Sequence, residues 1–416
     1  MTTADLTKND MTPEDKRKLV VQLLRQKLRE SRTVQSPSPA QQGVWFMQQM
    51  NRASTVYHVP FCARVLSPIH GDQLKAALQS LMDRHAMLRS TFRSDGIDLQ
   101  MVVHGVMDAV FTQVDSSSWS EQELIDQVNL SLSAPFDLQA GPLVRMHLFS
   151  RSKTDHVLLL VVHHLVCDGW SLGIVVKELI HFYEEECAGR TASLPPVGAE
   201  YSDYVRDQQA LLAGPEGARN REFWEERLRG EIQPLDLPAT RRRSGSSEMR
   251  SAIQNFQVDS RLYRRLKNLA SSNGVTLFAV LLAAYQTLLM RLSRQNEVLV
   301  GVPMAGRTQP EYERIIGHFV NLVVLRSAVD GDLSFQDYLQ TVWAEFQQAV
   351  EHQDFPFSEL VRRVRPSSRT ERAPIIQTSL NVLKVAPGNP LTCILDKEAE
   401  PMAWGPLQVA HFPLEQ

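Results

Sequence analysis

Apolar positions along the chain follow two alternating patterns, one at helical spacing and one in runs of strand length. Leu19, Val20, Leu23, Leu24 and Leu28 recur at helical intervals after Thr12-Pro13-Glu14-Asp15. There Thr suits the cap, Pro the first helical position, and the two acids the positive end of the helix dipole. Ser31 to Pro39 (SRTVQSPSP) has the composition of a Ser/Pro linker. Residues 1–35 are therefore expected to form a separate helix and linker, either a connector or a docking segment. A second helix is predicted over about 71–92, with Leu74, Leu78, Leu81, Met82 and Leu88 on one face. Val157 to Val162 is an unbroken apolar run, as in a strand covered on both faces, and a helix follows from about Ser171 to Glu186. Past the Pro195-Pro196 break and an exposed loop at TRRRSGSSEMR (240–250), the alternation returns. Helices are predicted near 260–271, 276–293 and 334–352, with strands near 296–303, 321–327 and 375–383. The pattern is α/β in two lobes, 36–200 and 201–416.

Composition narrows the function classes. The chain has 416 residues, 43% of them hydrophobic, enough for more than one core. It carries 44 Lys+Arg against 47 Asp+Glu, a net charge of −3 that supplies no basic field for nucleic acid or anionic lipid. Cys62, Cys167, Cys187 and Cys393 lie far apart with no CxxC pair, the usage expected of free thiols in a reducing compartment. The first residues lack a charged region followed by an apolar one, so no signal peptide is expected. The longest apolar stretch, Val275 to Met290, is shorter than a membrane span. A cytoplasmic globular protein is expected, with neither nucleic acid nor membrane as partner.

The densest chemical signal is His163-His164-Leu165-Val166-Cys167-Asp168-Gly169-Trp170, directly after the apolar strand. Side chains alternate along a strand, so His163 and His164 face opposite ways. One belongs in packing and the other toward an opening at the carboxyl end of the strand. Adjacent histidines make a poor chelating pair, no other His/Cys/Asp set has metal spacing, and no metal is expected. A neutral imidazole at a strand end suits a general base near pH 7. Asp168-Gly169 turns the chain, and the Asp168 carboxylate is placed to pair with an arginine. Cys167 is expected to be a small buried hydrophobe rather than a nucleophile, because a turning backbone separates it from His164.

Seven ordered stretches resemble the condensation domains of nonribosomal peptide synthetases, in the chloramphenicol-acetyltransferase-like superfamily. They are Ser38-Pro39-Ala40-Gln41-Gln42 with Trp45-Phe46, Arg84 to Phe92 (RHAMLRSTF), and His163 to Gly173, which carries HHxxxDG in full. Tyr201-Ser202-Asp203-Tyr204, Ile316 to Asn321 (IGHFVN), His352 to Phe357 (HQDFPF) and a weak seventh at Arg369 to Pro374 complete the series. Ala86 departs from the pattern, standing where the family usually has Glu. The resemblance implies a V-shaped pair of acetyltransferase-like lobes with a central tunnel. A donor and an acceptor carrier domain would dock at the tunnel mouths and present thioesters on phosphopantetheine arms. The domain itself would bind no cofactor. The acceptor amine would attack the donor acyl or peptidyl thioester and form an amide.

By motif position, His164 corresponds to the family's catalytic histidine, acting as base or positioner. His163 and Asp168 support the loop, while Gly169 leaves room beside the imidazole and turns its backbone N–H toward the developing oxyanion. Arg307 is the expected partner of Asp168, Trp170 a brace, and Asn321 and Ser171 candidates for the tunnel lining. The intact HHxxxDG argues against the heterocyclisation subfamily. Family members usually continue past the seventh stretch, so the second lobe is expected to be incomplete, with an adenylation domain following. An upstream polyketide or peptide synthase would be met through residues 1–35. The alternatives are a free-standing coenzyme A-dependent acyltransferase of the same superfamily and a non-catalytic module that recruits carriers.

Overall fold

A computed structural model of the protein describes residues 27, 31–96, 98–238, 253–328, 333–364, 375–385, 389, 391–392 and 398–414. The helix predicted after Thr12 (Lys27 excepted), the loop at 240–250, Cys393 and the seventh family-like stretch lie outside these residues. In chain order the first part comprises β1 (Arg32–Gln35), α1 (Pro39–Met50), β2 (His58–Val65), α2 (Gly71–Arg84), β3 (Ser90–Ser94), β4 (Leu99–His104), β5 (Val110–Asp115), α3 (Glu121–Ser133), β6 (Val144–Ser150), β7 (His156–His163) and α4 (Gly169–Cys187). The rest comprises α5 (Tyr201–Ala213), α6 (Pro215–Arg227), α7 (Ser260–Ser272), α8 (Leu277–Ser293), β8 (Glu297–Met304), β9 (Asn321–Ala328), α9 (Phe335–Glu351), α10 (Phe357–Arg363), β10 (Met402–Trp404) and β11 (Leu407–Ala410). Among the described residues no single helix is long and apolar enough to cross a membrane.

The apolar run predicted as a doubly covered strand is β7, near the middle of a six-stranded sheet in the order β10-β11-β2-β7-β6-β5. Every residue of β7 is buried. Leu158, Leu160 and Val162 join a core with Leu74, Leu78 and Leu81 of α2 and Val175 and Leu179 of α4. Val157, Leu159 and Val161 join a second core with Leu124 and Val128 of α3. Two faces, both packed, explain why polar residues never interrupt the run. β2 and β7 pair antiparallel with His58 opposite His163, while β5 runs parallel to β6.

Three expectations about the first lobe are corrected. First, the presumed linker contains β1, which pairs antiparallel with β4, Thr33 opposite Val103. Its β-branched Thr33 and Val34 favour an extended edge strand. Second, the helix predicted to Phe92 ends at Arg84. His85 turns extended and its Nε2 reaches Glu178 Oε2 on α4 at 2.7 Å; the β-branched and aromatic Thr91 and Phe92 then belong to β3. Third, the boundary at residue 200 does not divide the cores. Tyr201 and Val205 of α5 pack in the first lobe's core, and β11 extends the first lobe's sheet by pairing with β2. The reason is apolar alternation: Trp404, Leu407 and Val409 are buried against that core, and Phe412 against its opposite face.

The second lobe is built on β8 and β9, paired antiparallel from Glu297 opposite Ala328 to Met304 opposite Asn321. α8 and α9 pack on it through Ala283, Leu289, Tyr338 and Leu339. The strand predicted over 375–383 is reduced to one parallel bridge, Ser379 to Gly301. Gly301 has no side chain where Ile376 sits; a Cβ there would stand 2.9 Å from the Ile376 Cδ1 and would displace that side chain.

Trp404 tests the sheet assignment. Its ring lies 5.4 Å from Phe61 and its Nε1–H donates to the Val176 carbonyl at 3.3 Å. Trp404→Ala is expected to lower the unfolding free energy by about 3–5 kcal/mol in urea melts. An unchanged midpoint would mean that β10 and β11 contribute nothing to the first lobe.

Candidate active site

β7 delivers His163 and His164 to its carboxyl end on opposite faces, as alternation requires. His163 is 1% exposed. Its Nδ1 accepts from the Leu165 N–H at 3.2 Å, and its ring meets Phe136 edge-on at 5.9 Å. Burial, reinforced by neighbouring His58, His164 and His318 and by Arg145, pushes its pKa down to about 3. His163 is a neutral packing group. His164 is partly exposed, and its backbone N–H is held by the Tyr57 carbonyl at 2.8 Å. Its Nδ1 lies 3.0 Å from Nδ1 of His318, the rings meeting edge to face at 4.9 Å. Among the described residues, no hydrogen bond is made by His164 Nε2.

Asp168 fastens this loop to the other lobe. Its Oδ1 accepts from the Ser171 N–H at 2.7 Å, capping α4, and from Arg307 Nη2 at 3.3 Å. Its Oδ2 accepts from the Phe319 N–H, and its own N–H donates to the Gly317 carbonyl, each at 3.0 Å. The Asp168 and Arg307 side chains are 3% and 2% exposed, so the pair expected from sequence is a buried one. Arg307 also donates to the Tyr312 and Ile315 carbonyls and to Ser171 Oγ, and stacks on Phe319 at 3.9 Å. Burial lowers its pKa, opposed by Asp168. Two glycines allow this approach: Gly306 sits at φ 66°, and a side chain on Gly317 would strike the Tyr201 ring.

Ser171, expected at the tunnel lining, is instead fully buried. As the third residue of α4 it is drawn under the helix start by the Asp168 cap. There its Oγ donates to the Gly317 carbonyl at 2.9 Å and accepts from the Gly317 N–H at 3.0 Å. Trp170 is half exposed and spans the junction, its Nε1–H donating to the Glu313 carbonyl at 3.0 Å. Gly169 is exposed, with nothing within 4 Å of where a Cβ would stand. Its N–H belongs to the first turn of α4, where donors lack intrahelical acceptors. Cys167 is fully buried and burial pushes its thiol well up, the opposite of a poised nucleophile. Asn321 lines a cleft of about 230 Å³ with Tyr204, Gly306 and Tyr312. Its Nδ2 donates to the Gln353 and Phe355 carbonyls, and its Oδ1 accepts from the Phe357 N–H. Among the described residues no group of three His, Cys, Asp or Glu side chains is placed to hold a metal ion.

His318, Tyr201 and Gln41 were given no individual role by the sequence reading, although each lies within a quoted stretch. The Tyr201 hydroxyl donates to the His318 carbonyl at 2.6 Å and accepts from the Ser38 hydroxyl at 3.0 Å. Ser38 and Gln41 form the capping box of α1, and Gln41 Nε2 reaches the Leu165 carbonyl at 2.8 Å. The first, third, fourth and fifth stretches therefore converge on one loop.

A family model described as "Condensation domain" matches residues 31–401. The chain belongs to the condensation-domain family. Chondramide synthase of Chondromyces crocatus is 34% identical over 353 residues, covering 84% of this chain and 9% of that protein. Malpinin synthetase of Mortierella alpina is 34% identical over 340 residues, covering 81% of this chain and 4% of that protein. The chain thus spans less than a tenth of these relatives' length. The first condensation domain of the CDA synthetase superposes with a TM-score of 0.72 at 20% identity, covering 91% of this chain and 85% of that one. The fold is the chloramphenicol-acetyltransferase-like fold of condensation domains.

At the heart of this condensation domain three histidines are buried or nearly so, and burial lowers the pKa of all three. His163 and His318 come down to about 3, and His164 shifts in the same direction. Folded values below the ordinary 6.5 mean that acid favours the unfolded chain. Their contribution is whole above pH 6.5 and is lost as pH falls from there toward about 3. Urea melts between neutral pH and pH ~5 are expected to show falling stability. His163→Asn is expected to be less stable at neutral pH but to lose less on acidification. An identical pH slope in the two proteins would mean that His163 titrates normally.

Proposed function

We propose that this condensation domain forms an amide bond between a donor acyl or peptidyl thioester and the amine of an acceptor aminoacyl thioester. Both would be presented on phosphopantetheine arms of carrier domains. The observation that carries the proposal is His164, a neutral imidazole at the lobe junction whose Nε2 has no hydrogen bond among the described residues, with open space beside Gly169.

The chemistry follows from those positions. The acceptor amine attacks the donor carbonyl, and its proton passes to His164 Nε2. The Gly169 N–H, at the positive end of α4, is the candidate donor to the oxyanion. Collapse breaks the carbon–sulfur bond, and the departing thiolate recovers the proton. Amide and free thiol are the products, so protons and electrons balance. A depressed His164 pKa keeps the ring unprotonated at neutral pH, where an α-amino group of pKa about 7.7–8.0 is partly protonated. His163 and Asp168 do not touch the reacting atoms in this scheme; they hold the loop. The synthase and synthetase names of the relatives support carriers, an adenylation domain and further synthase modules as partners.

Single-turnover transfer between two loaded carriers, followed by mass spectrometry, tests the proposal. Wild type is expected to form amide. His164→Ala is expected to melt like wild type while losing roughly 10²–10⁴-fold in rate. Consumption of acyl-coenzyme A instead of the carrier thioester would favour the free-standing acyltransferase. Carrier binding without transfer by wild type would favour the recruiting module.

A further inference from the structure

We infer that His318 is a positioning residue that fixes the tautomer of His164, holding the proton on His164 Nδ1 and leaving Nε2 as the lone-pair acceptor. This rests on the reading of His164 as the group that receives the amine proton. In a Ser-His-Asp arrangement the second nitrogen of the base is oriented by a carboxylate. Here the carboxylate of the same loop, Asp168, is engaged elsewhere. One of its oxygens serves the α4 cap and Arg307, and the other serves the Phe319 N–H. The partner actually found at His164 Nδ1 is His318 Nδ1 at 3.0 Å.

Two neutral imidazoles in Nδ1-to-Nδ1 contact share one proton, since two would clash and none would leave facing lone pairs. The shared proton therefore decides what Nε2 of His164 offers the opening. On His164 Nδ1 it leaves Nε2 a base; on His318 Nδ1 it makes Nε2 a donor. Backbone contacts fix where the His318 ring stands. His318 is 5% exposed, its carbonyl is held by Tyr201, and Gly317 and Phe319 on either side are bonded to Ser171 and Asp168. Its pKa of about 3 comes from burial and from His164, with Asp168 and a hydrogen bond to the His164 backbone opposing. When His164 takes a proton, His318 consequently stays neutral and its lone pair steadies the imidazolium. Asp168 is the anionic group acting on both rings.

Histidine-selective ¹⁵N labelling of the full chain, with two-bond proton–nitrogen spectra, reads the tautomer directly. Wild type is expected to show His164 protonated on Nδ1 and bare on Nε2. His318→Phe removes the acceptor and is expected to give mixed tautomers and about tenfold slower transfer, the rate equivalent of one neutral hydrogen bond. His318→Asn, which can still accept, is expected to restore both. Protonation of His164 on Nε2 in wild type would overturn the inference whatever the variants do. So would a His318→Phe spectrum and rate matching wild type. The spectrum needs no substrate, so loss of the carrier-transfer reading would leave the tautomer result standing.

Discussion

One buried carboxylate organises this molecule. Asp168 ends the loop after β7, starts α4 and receives Arg307 and the Phe319 N–H from the other lobe. Removing charge from water is costly, and an unpaired charge would be costlier still. The two lobes are therefore held at one relative position by the need to satisfy that group. Because Asp168 lies four residues from His164, the same need sets where the imidazole stands. The placing of His164 and the docking of the lobes are consequences of one interaction.

The stretches that resemble the family are mostly clasps around that point. Gln41 closes the capping box of α1 with Ser38 and holds the Leu165 carbonyl; Tyr201 holds the His318 carbonyl; Asn321 grips the backbone at Gln353, Phe355 and Phe357. They supply polar partners for backbone that loops would otherwise bury unsatisfied. In the proposed reaction the chemistry is left to few atoms, chiefly His164 Nε2 and the open space at Gly169.

Much of this was legible in the residues. The unbroken run 157–162 announced a doubly covered strand, alternation sorted His163 from His164, and the Asp168–Arg307 pair followed from the family resemblance. What could not be read depends on contacts distant in sequence. β11 pairs with a strand more than three hundred residues earlier, and four residues of strand carry too little period to reveal it. β1 hid in a Ser/Pro-rich stretch because an edge strand needs no apolar face. Ser171 was misplaced because its helix position was known but not the direction from which the other lobe arrives. His318 was visible in its motif, yet only the folded chain puts it against His164.

A double-mutant cycle on unfolding free energy tests the central claim most directly, using Asp168→Asn and Arg307→Gln. Asn keeps the shape and capping oxygen of Asp168 while removing its charge. If the lobes are pinned by this buried pair, each single change costs about 3–5 kcal/mol and the double change costs little more than either alone. Additive losses would show that the two side chains do not depend on each other, and the account of lobe docking through Asp168 would be wrong.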